Sequence, residues 1–267
     1  MPRAIWSGAI SFGLVNIPVK LTTAVRRKSV SFREIRRSDA SRIRHRKVAA
    51  ADGEEVAYED IAKGFEVAPD RYIVVEPDEL KALDPEGTRT IDIVDFVDLA
   101  HIDPIFYDSS YYLAPGDTAA KPYRLLHEAM SATGKAAVAR FVLRTKQYVA
   151  IVRPLGPALA VSTVVYADEI VEPQSIVNAD VTAVDVNERE LAMAMQLIDS
   201  MATDWDPEQY RDEYRERVLE LLERKAEGEE VVSVPADERE AGELVDLMSA
   251  LEASLQAAKD AQASDTA

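Results

Sequence analysis

The stretch Ala4-Ile-Trp-Ser-Gly-Ala-Ile-Ser-Phe-Gly-Leu-Val-Asn-Ile-Pro-Val-Lys20 sets a pattern that governs much of the chain. Successive side chains of an extended strand point to opposite faces, so Trp6, Ile10 and Phe12 share one face, and Gly8 and Gly13 mark bulge or bend points. The same period of two, carried by β-branched and aromatic residues and punctuated by Gly, Pro and Asp, continues to about Val165. It predicts strands over Val30 to Ile35, Arg42 to Val48, Tyr72 to Glu76, Thr90 to Leu99, Tyr111 to Leu113, Val138 to Tyr148 and Leu159 to Tyr166. Short strands at this spacing point to a barrel-like β core.

One helix interrupts this pattern. Pro122 suits a first helical position, Leu125, Leu126, Ala129 and Met130 form a helical stripe, and Gly134 is a natural stop. A shorter helical turn starts at Pro77. After Pro173 the period changes to 3.6. Asn187 and Glu190 form a capping box for a helix with the apolar face Leu191, Met195, Ile198 and Met201. A second helix takes Asp206 as its cap and Pro207 in its first turn, with Tyr210, Tyr214, Val218, Leu221 and Leu222 as its stripe. Glu229 to Gly242 reads as an acidic linker, Glu243 to Lys259 as a terminal amphipathic helix and Asp260 to Ala267 as a frayed tail. No internal repeat is visible.

With 267 residues, 47% of them hydrophobic, the chain can bury a substantial core as one large domain with an appendage. Its lack of cysteine removes disulfides, thiolate-bound zinc, iron–sulfur clusters and thiol nucleophiles, and fits a reducing interior. The opening apolar stretch is too short and too broken for a signal peptide or a membrane span, so a soluble, cytoplasmic protein without membrane partners is expected. His45, His101 and His127 pair neither with each other nor with acids at metal-ligand spacing. Gly134-Lys135 lacks the earlier glycine of a phosphate loop, since position 129 is Ala. A binding role is favoured over catalysis.

The net charge of −17 argues at first against a nucleic-acid partner. Its distribution argues the reverse. Residues 1–47 hold twelve Lys and Arg against Glu34 and Asp39, a net of +10, so the remainder carries −27. In Arg42-Ile-Arg-His-Arg46 a strand would place the three arginines on one face at roughly 6.8 Å spacing, suited to following a phosphate backbone. Between Lys135 and Arg153 lie five basic residues and no acid, and Arg140, Arg144 and Lys146 share strand parity. Such surfaces contact phosphates and carry little sequence information, so duplex DNA of any sequence is the expected ligand. Alternatives from other classes are a metal-dependent DNA phosphodiesterase using Asp92, Asp95 and Asp98, and an acidic scaffold that binds only proteins through its C-terminal helices.

The N-terminal stretch quoted above, with Asp52-Gly-Glu-Glu-Val56, Tyr58-Glu-Asp-Ile-Ala-Lys-Gly-Phe65, Thr90-Ile-Asp-Ile-Val-Asp-Phe96, Ile102-Asp-Pro-Ile-Phe-Tyr107, Ala139-Arg-Phe-Val-Leu-Arg144, Gln196-Leu-Ile-Asp-Ser200 and Tyr210-Arg-Asp-Glu-Tyr214, resembles the bacterial Ku family. The resemblance covers about residues 3–228. It implies a mainly β fold with α, in which a Ku-type β-barrel core carries extended, ring-forming arms and a helical C-terminal region. The corresponding divisions are 1–184 for the barrel and DNA-encircling core, 185–228 for the helical arm, and 229–267 for the linker, terminal helix and tail. It further implies a homodimer that threads onto double-stranded DNA ends in non-homologous end joining, without catalysis, metal or cofactor, in the bacterial cytoplasm at the nucleoid. Recruitment and stimulation of ligase D are also implied.

Charge and strand parity make Lys20, Arg26, Arg27, Arg33, Arg36, Arg37, Arg42, Arg44, Arg46 and Lys47, with Lys135, Arg140, Arg144, Lys146 and Arg153, the candidate DNA contacts. Tyr210, Tyr214, Arg217 and Leu221 are the candidate partner contacts. Two places depart from the family pattern: Val48-Ala-Ala-Ala51 stands where many members have Cys, and the chain ends without a Lys-rich extension.

Overall fold

Strands β1 (Trp6–Phe12) and β2 (Val15–Thr23) pair antiparallel from Trp6 opposite Leu21 to Phe12 opposite Val15. The two-residue turn between them has Gly13 at φ 56°, the left-handed value that a type II′ hairpin demands of its first central residue. The structure is a computed structural model that describes residues 3–83, 89–144, 146–177, 181, 183–227, 248 and 250–257. The chain divides into two units, Met1–Lys28 with Arg33–Val171, and Ser29–Phe32 with Glu172–Ala267.

In the first unit a closed barrel runs in the order β1-β2-β6-β9-β8-β7-β5. Its other members are β5 (Thr90–Asp98), β6 (Tyr107–Pro115), β7 (Lys135–Leu143), β8 (Lys146–Leu155) and β9 (Ala158–Val164). A short parallel pairing of β1 with β5 closes it, and every other pair is antiparallel. Closure leaves the barrel itself without a sheet edge. Ile10, Ile17, Val19, Leu21, Ile91, Leu113, Phe141, Val152 and Val161 fill the interior, with Trp6 and Phe12 packed against them. The face read from Trp6, Ile10 and Phe12 is therefore the core face. At Gly8 an added Cβ would overlap the Arg89 carbonyl oxygen and the Trp6 indole, so this glycine permits close packing.

The helix α1 (Pro77–Leu83) begins at the expected Pro77, and α2 (Ala120–Thr133) ends at Gly134, φ 65°, whose N–H reaches the Met130 carbonyl. Tyr123, Leu126 and Met130 bury one face of α2 in the barrel core. The Tyr123 hydroxyl donates to the Leu113 carbonyl and accepts the Leu159 N–H, each at 2.6 Å, and so clasps β6 to β9 where Leu113 and Leu159 pair. A two-stranded ribbon, β3 (Lys63–Ala68) with β4 (Arg71–Val75), leaves Phe65, Val67, Tyr72, Ile73 and Val74 exposed.

Three expected strands need correction. Val30 to Ile35 and Arg42 to Val48 form no ladder; only the bridges Ile35 to Arg42 and Val48 to Glu55 occur there, because no side chain of these segments is buried and nothing packs a sheet face. The expected strand from Val138 to Tyr148 is two strands. Leu143 pairs with Lys146, and the chain reverses at Arg144, φ 62°. Leu143 and Tyr148 both pack against the core although five residues apart, which one continuous strand forbids.

In the second unit, α3 (Glu188–Met201) starts where expected, with the Asn187 side chain accepting the Arg189 N–H at 2.9 Å. The helix expected from Asp206 is a single 3-10 turn, Pro207–Gln209, followed by extended Tyr210, and the true helix α4 (Glu213–Ala226) takes Asp212 as its cap. Asp212 accepts the Arg215 N–H at 2.9 Å, so a second cap two residues beyond Tyr210 restarts the chain. Of the expected terminal helix, residues 250–257 are helical, and the linker and tail fall outside the described residues.

Candidate nucleic-acid interface

Beyond β2 the chain makes two hairpins of one design. In the first, the Arg36 N–H meets the Ser41 carbonyl and the Ala40 N–H meets the Arg36 carbonyl; in the second, Ala49 with Glu54 and Gly53 with Ala49 repeat both bonds. Ala40 and Gly53 supply the left-handed residue, at φ 56° and 76°. Asp39 and Asp52 each accept the N–H two residues ahead, an Asx-type turn. The bridges and turns coincide after a shift of 13 residues, a structural repeat invisible in residue identities.

Arg42, Arg44 and Arg46 lie on the extended segment that joins these hairpins, and all three are exposed. Their pairing differs. Arg46 donates to Glu55 at 2.8 Å, and the neighbouring His45 lies 3.1 Å from Glu34. Arg42 and Arg44 have no ion pair among the described residues, and neither do Arg26, Arg27, Arg33 and Arg37. Arg36 is held by Asp39, and Lys47 sits over the Tyr58 ring, 5.6 Å from its centre. Lys20 points out of β2 and is 3.7 Å from the exposed Asp117. Six of the ten N-terminal candidates thus stand exposed and without an ion pair among the described residues.

The second basic group sits on the barrel and is less uniform. Arg140 faces outward from β7, exposed, in register with Asp92 of β5 and Val149 of β8. Arg153 also faces outward, half-buried, and its charge offsets part of the burial that raises the Tyr107 phenol. The turn between β7 and β8 separates Arg144 from Lys146, so their shared parity with Arg140 does not survive folding. Lys146 lies 5.2 Å over the Tyr148 ring. Lys135 is committed to Asp98 at 2.7 Å and holds that carboxyl below the usual range.

The aspartates of β5 are dispersed. Asp92 accepts the Thr90 hydroxyl at 2.8 Å, a bulge separates Ile93 from Asp95, and Asp98 belongs to Lys135. Among the described residues no group of three or more His, Cys, Asp and Glu is placed to hold a metal ion.

In the second unit, Tyr210 stacks on Trp205 with centroids 5.1 Å apart, and both rings are exposed, as is Tyr214. Arg217 reaches back to the Glu213 carbonyl at 3.4 Å, and Leu221 is at the margin of exposure. Trp205 was not among the sequence candidates, although a tryptophan between Asp204 and Asp206 is a signal on its own. The apolar stripe of α3 is uncovered: Leu191, Met195, Ile198 and Met201 are each more than half exposed. Among the described residues no helix is long and apolar enough to cross a membrane.

Residues 11–193 match the family model described as the Ku70/Ku80 beta-barrel domain. The chain is 52% identical over 260 residues to the "Non-homologous end joining protein Ku" of Anaeromyxobacter sp. (strain K), covering 97% of this chain and 87% of that one. Proteins of the same name from Desulfitobacterium hafniense and Heliobacterium modesticaldum are 43% and 40% identical. These alignments cover 95% and 99% of this chain, and 87% and 95% of the relatives.

Proposed function

The chain belongs to the Ku family, and from that premise we propose that it binds double-stranded DNA ends, without regard to sequence, in the repair of breaks by non-homologous end joining. The observation that carries this reading is that Arg26, Arg27, Arg33, Arg37, Arg42 and Arg44 have no ion pair among the described residues, in a chain of net charge −17. Exposed and concentrated in a segment of net charge +10, these guanidiniums suit an anionic ligand that meets many of them at once. The extended backbone between the hairpins offers phosphate contacts and no helix for the major groove, which fits a ligand held by its backbone. The acidic remainder repels DNA from other surfaces and so orients it.

The working form is a homodimer whose two copies close a ring around the duplex. The uncovered stripe of α3 and the ribbon β3–β4, apolar on both faces, support this reading, since monomers rarely leave such surfaces in water. Tyr210, Tyr214, Arg217 and Leu221 then serve to recruit ligase D, which performs the joining, in the bacterial cytoplasm at the nucleoid. The exposed Trp205–Tyr210 stack supports that assignment, as aromatic side chains are the usual anchors of protein contacts.

The decisive test compares a linear duplex with a covalently closed circle of the same sequence by gel shift. Binding confined to the linear form is expected. Equal binding to the circle would overturn end threading.

A further inference from the structure

Tyr123, Leu126 and Met130 anchor α2 in the barrel, and this orientation leaves Leu125 outside, 67% exposed. One side of Leu125 is an apolar groove of about 460 Å³, walled by Phe12, Val15, Phe96, Leu125, Leu126 and Met130. Leu14, at the tip of the β1–β2 turn beside Val15, is fully exposed. The other side is a depression lined by Ala120, Lys121, Arg124, Leu125 and Glu128. Lys121 and Arg124 lie toward the start of α2, where the helix dipole disfavours cations, and the first turn has neither an acidic residue nor a side-chain cap. Glu128, 2.7 Å away, answers Arg124, while Lys121 has no ion pair among the described residues. An apolar groove thus adjoins a positive shelf that the chain's own acids leave incompletely neutralised.

We propose that this face of α2 docks an acidic amphipathic helix of a partner protein. Its apolar residues at i, i+3, i+4 and i+7 would enter the groove across Leu125, and its carboxylates would meet Lys121 and Arg124. Charge complementarity selects this occupant. A second copy meeting the face through a two-fold axis could answer Lys121 only with Glu128, which already pairs with Arg124, so a net positive charge would face a net positive charge, and a DNA duplex has no apolar ridge to fill the groove. Lys135 also lines the groove but is held by Asp98, so the proposal stands apart from the free N-terminal arginines of the DNA reading.

The test uses the full chain and a fluorescein-labelled synthetic 18-residue peptide with leucines at the four anchor positions, four glutamates flanking them and alanine and glutamine elsewhere to keep it helical, followed by anisotropy. Saturable binding is expected, at least tenfold weaker for a lysine-for-glutamate version of the peptide. Leu125→Asp, at an exposed position, should weaken the acidic helix at least tenfold, and Lys121→Glu with Arg124→Glu should reverse the charge preference. A saturating linear duplex should leave the bound helix in place. Equal binding of the lysine peptide, indifference to Leu125→Asp, or displacement by DNA would overturn the proposal. So would a change in the protein's sedimenting mass on Leu125→Asp, which would assign the groove to a second copy.

Discussion

Asp39 and Asp52 hold the same place in successive turns, accepting backbone N–H groups of Ser41 at 3.1 Å and Glu54 at 2.9 Å, yet only Asp39 is also held by an arginine. The Arg36 guanidinium, followed by the Ser41 hydroxyl and N–H, lowers the Asp39 carboxyl from 3.8 to about 2. A depressed folded value means that its contribution to the turn is complete above the ordinary carboxylate range and is lost as pH falls through about 2. An NMR titration of the side-chain carboxyl should show that midpoint. Arg36→Ala should move it upward, and an unmoved midpoint would transfer the effect to Ser41.

The pairing pattern ranks the arginines. Arg44 is free and Arg46 is held by Glu55, so Arg44→Ala should weaken duplex binding more than Arg46→Ala. Each lost phosphate contact should flatten the plot of log K against log salt by about 0.9. Glu55→Gln should release Arg46 and tighten binding at low salt. Fluorescence titrations at several salt concentrations check all three, and equal losses for Arg44 and Arg46 would contradict the ranking.

Lys135 provides a contrast within the proposed contacts. Its amine is bound to Asp98 at 2.7 Å, so Lys135→Ala should change DNA affinity less than Arg140→Ala, whose guanidinium faces solvent. The same titrations decide it.

Tyr123 is a structural clasp. Tyr123→Phe would leave the Leu113 carbonyl and the Leu159 N–H without their buried partner. The expected cost is about 1–3 kcal/mol, read as a lower denaturation midpoint with unchanged secondary structure. Gly8→Val should cost a similar 1–3 kcal/mol through overpacking against Trp6 and the Arg89 carbonyl.

Removing the apolar stripe of α3 tests the dimer. Met195→Asp with Ile198→Asp changes two side chains already exposed in the chain, so the fold should stand while the mass in sedimentation falls to that of one copy. A dimer that persists unchanged would place the interface elsewhere.

The barrel was legible because its strands alternate against a single core, as with Trp6, Ile10 and Phe12. What escaped was whatever depends on two-residue turns and caps. The reversal at Arg144 hides inside an unbroken run of β-forming residues, and only the packing of both Leu143 and Tyr148 against the core betrays it. Asp206, followed by Pro207, is the stronger local cap signal, yet the helix takes Asp212 as its cap. The basic segment is plain in the charge distribution, but which arginines remain free depends on acids brought close by the hairpins, such as Glu55 to Arg46. Leu125 and Leu126 read as one stripe, although 100° of helix separates them and only Leu126 turns inward.

The repeated hairpins separate dosage of charge from stability. Neither has a buried side chain, and each is closed by its own turn and a single bridge. Excising Glu34 through Arg46 would remove five arginines and two acids in one period and join Arg33 to Lys47, where the second hairpin begins. The barrel's closure would be untouched. The two periods are alike in backbone and opposite in charge: residues 34–46 hold five arginines against two acids, whereas residues 47–59 hold one lysine against four acids, so one turn design carries either sign while folding is left to the seven strands.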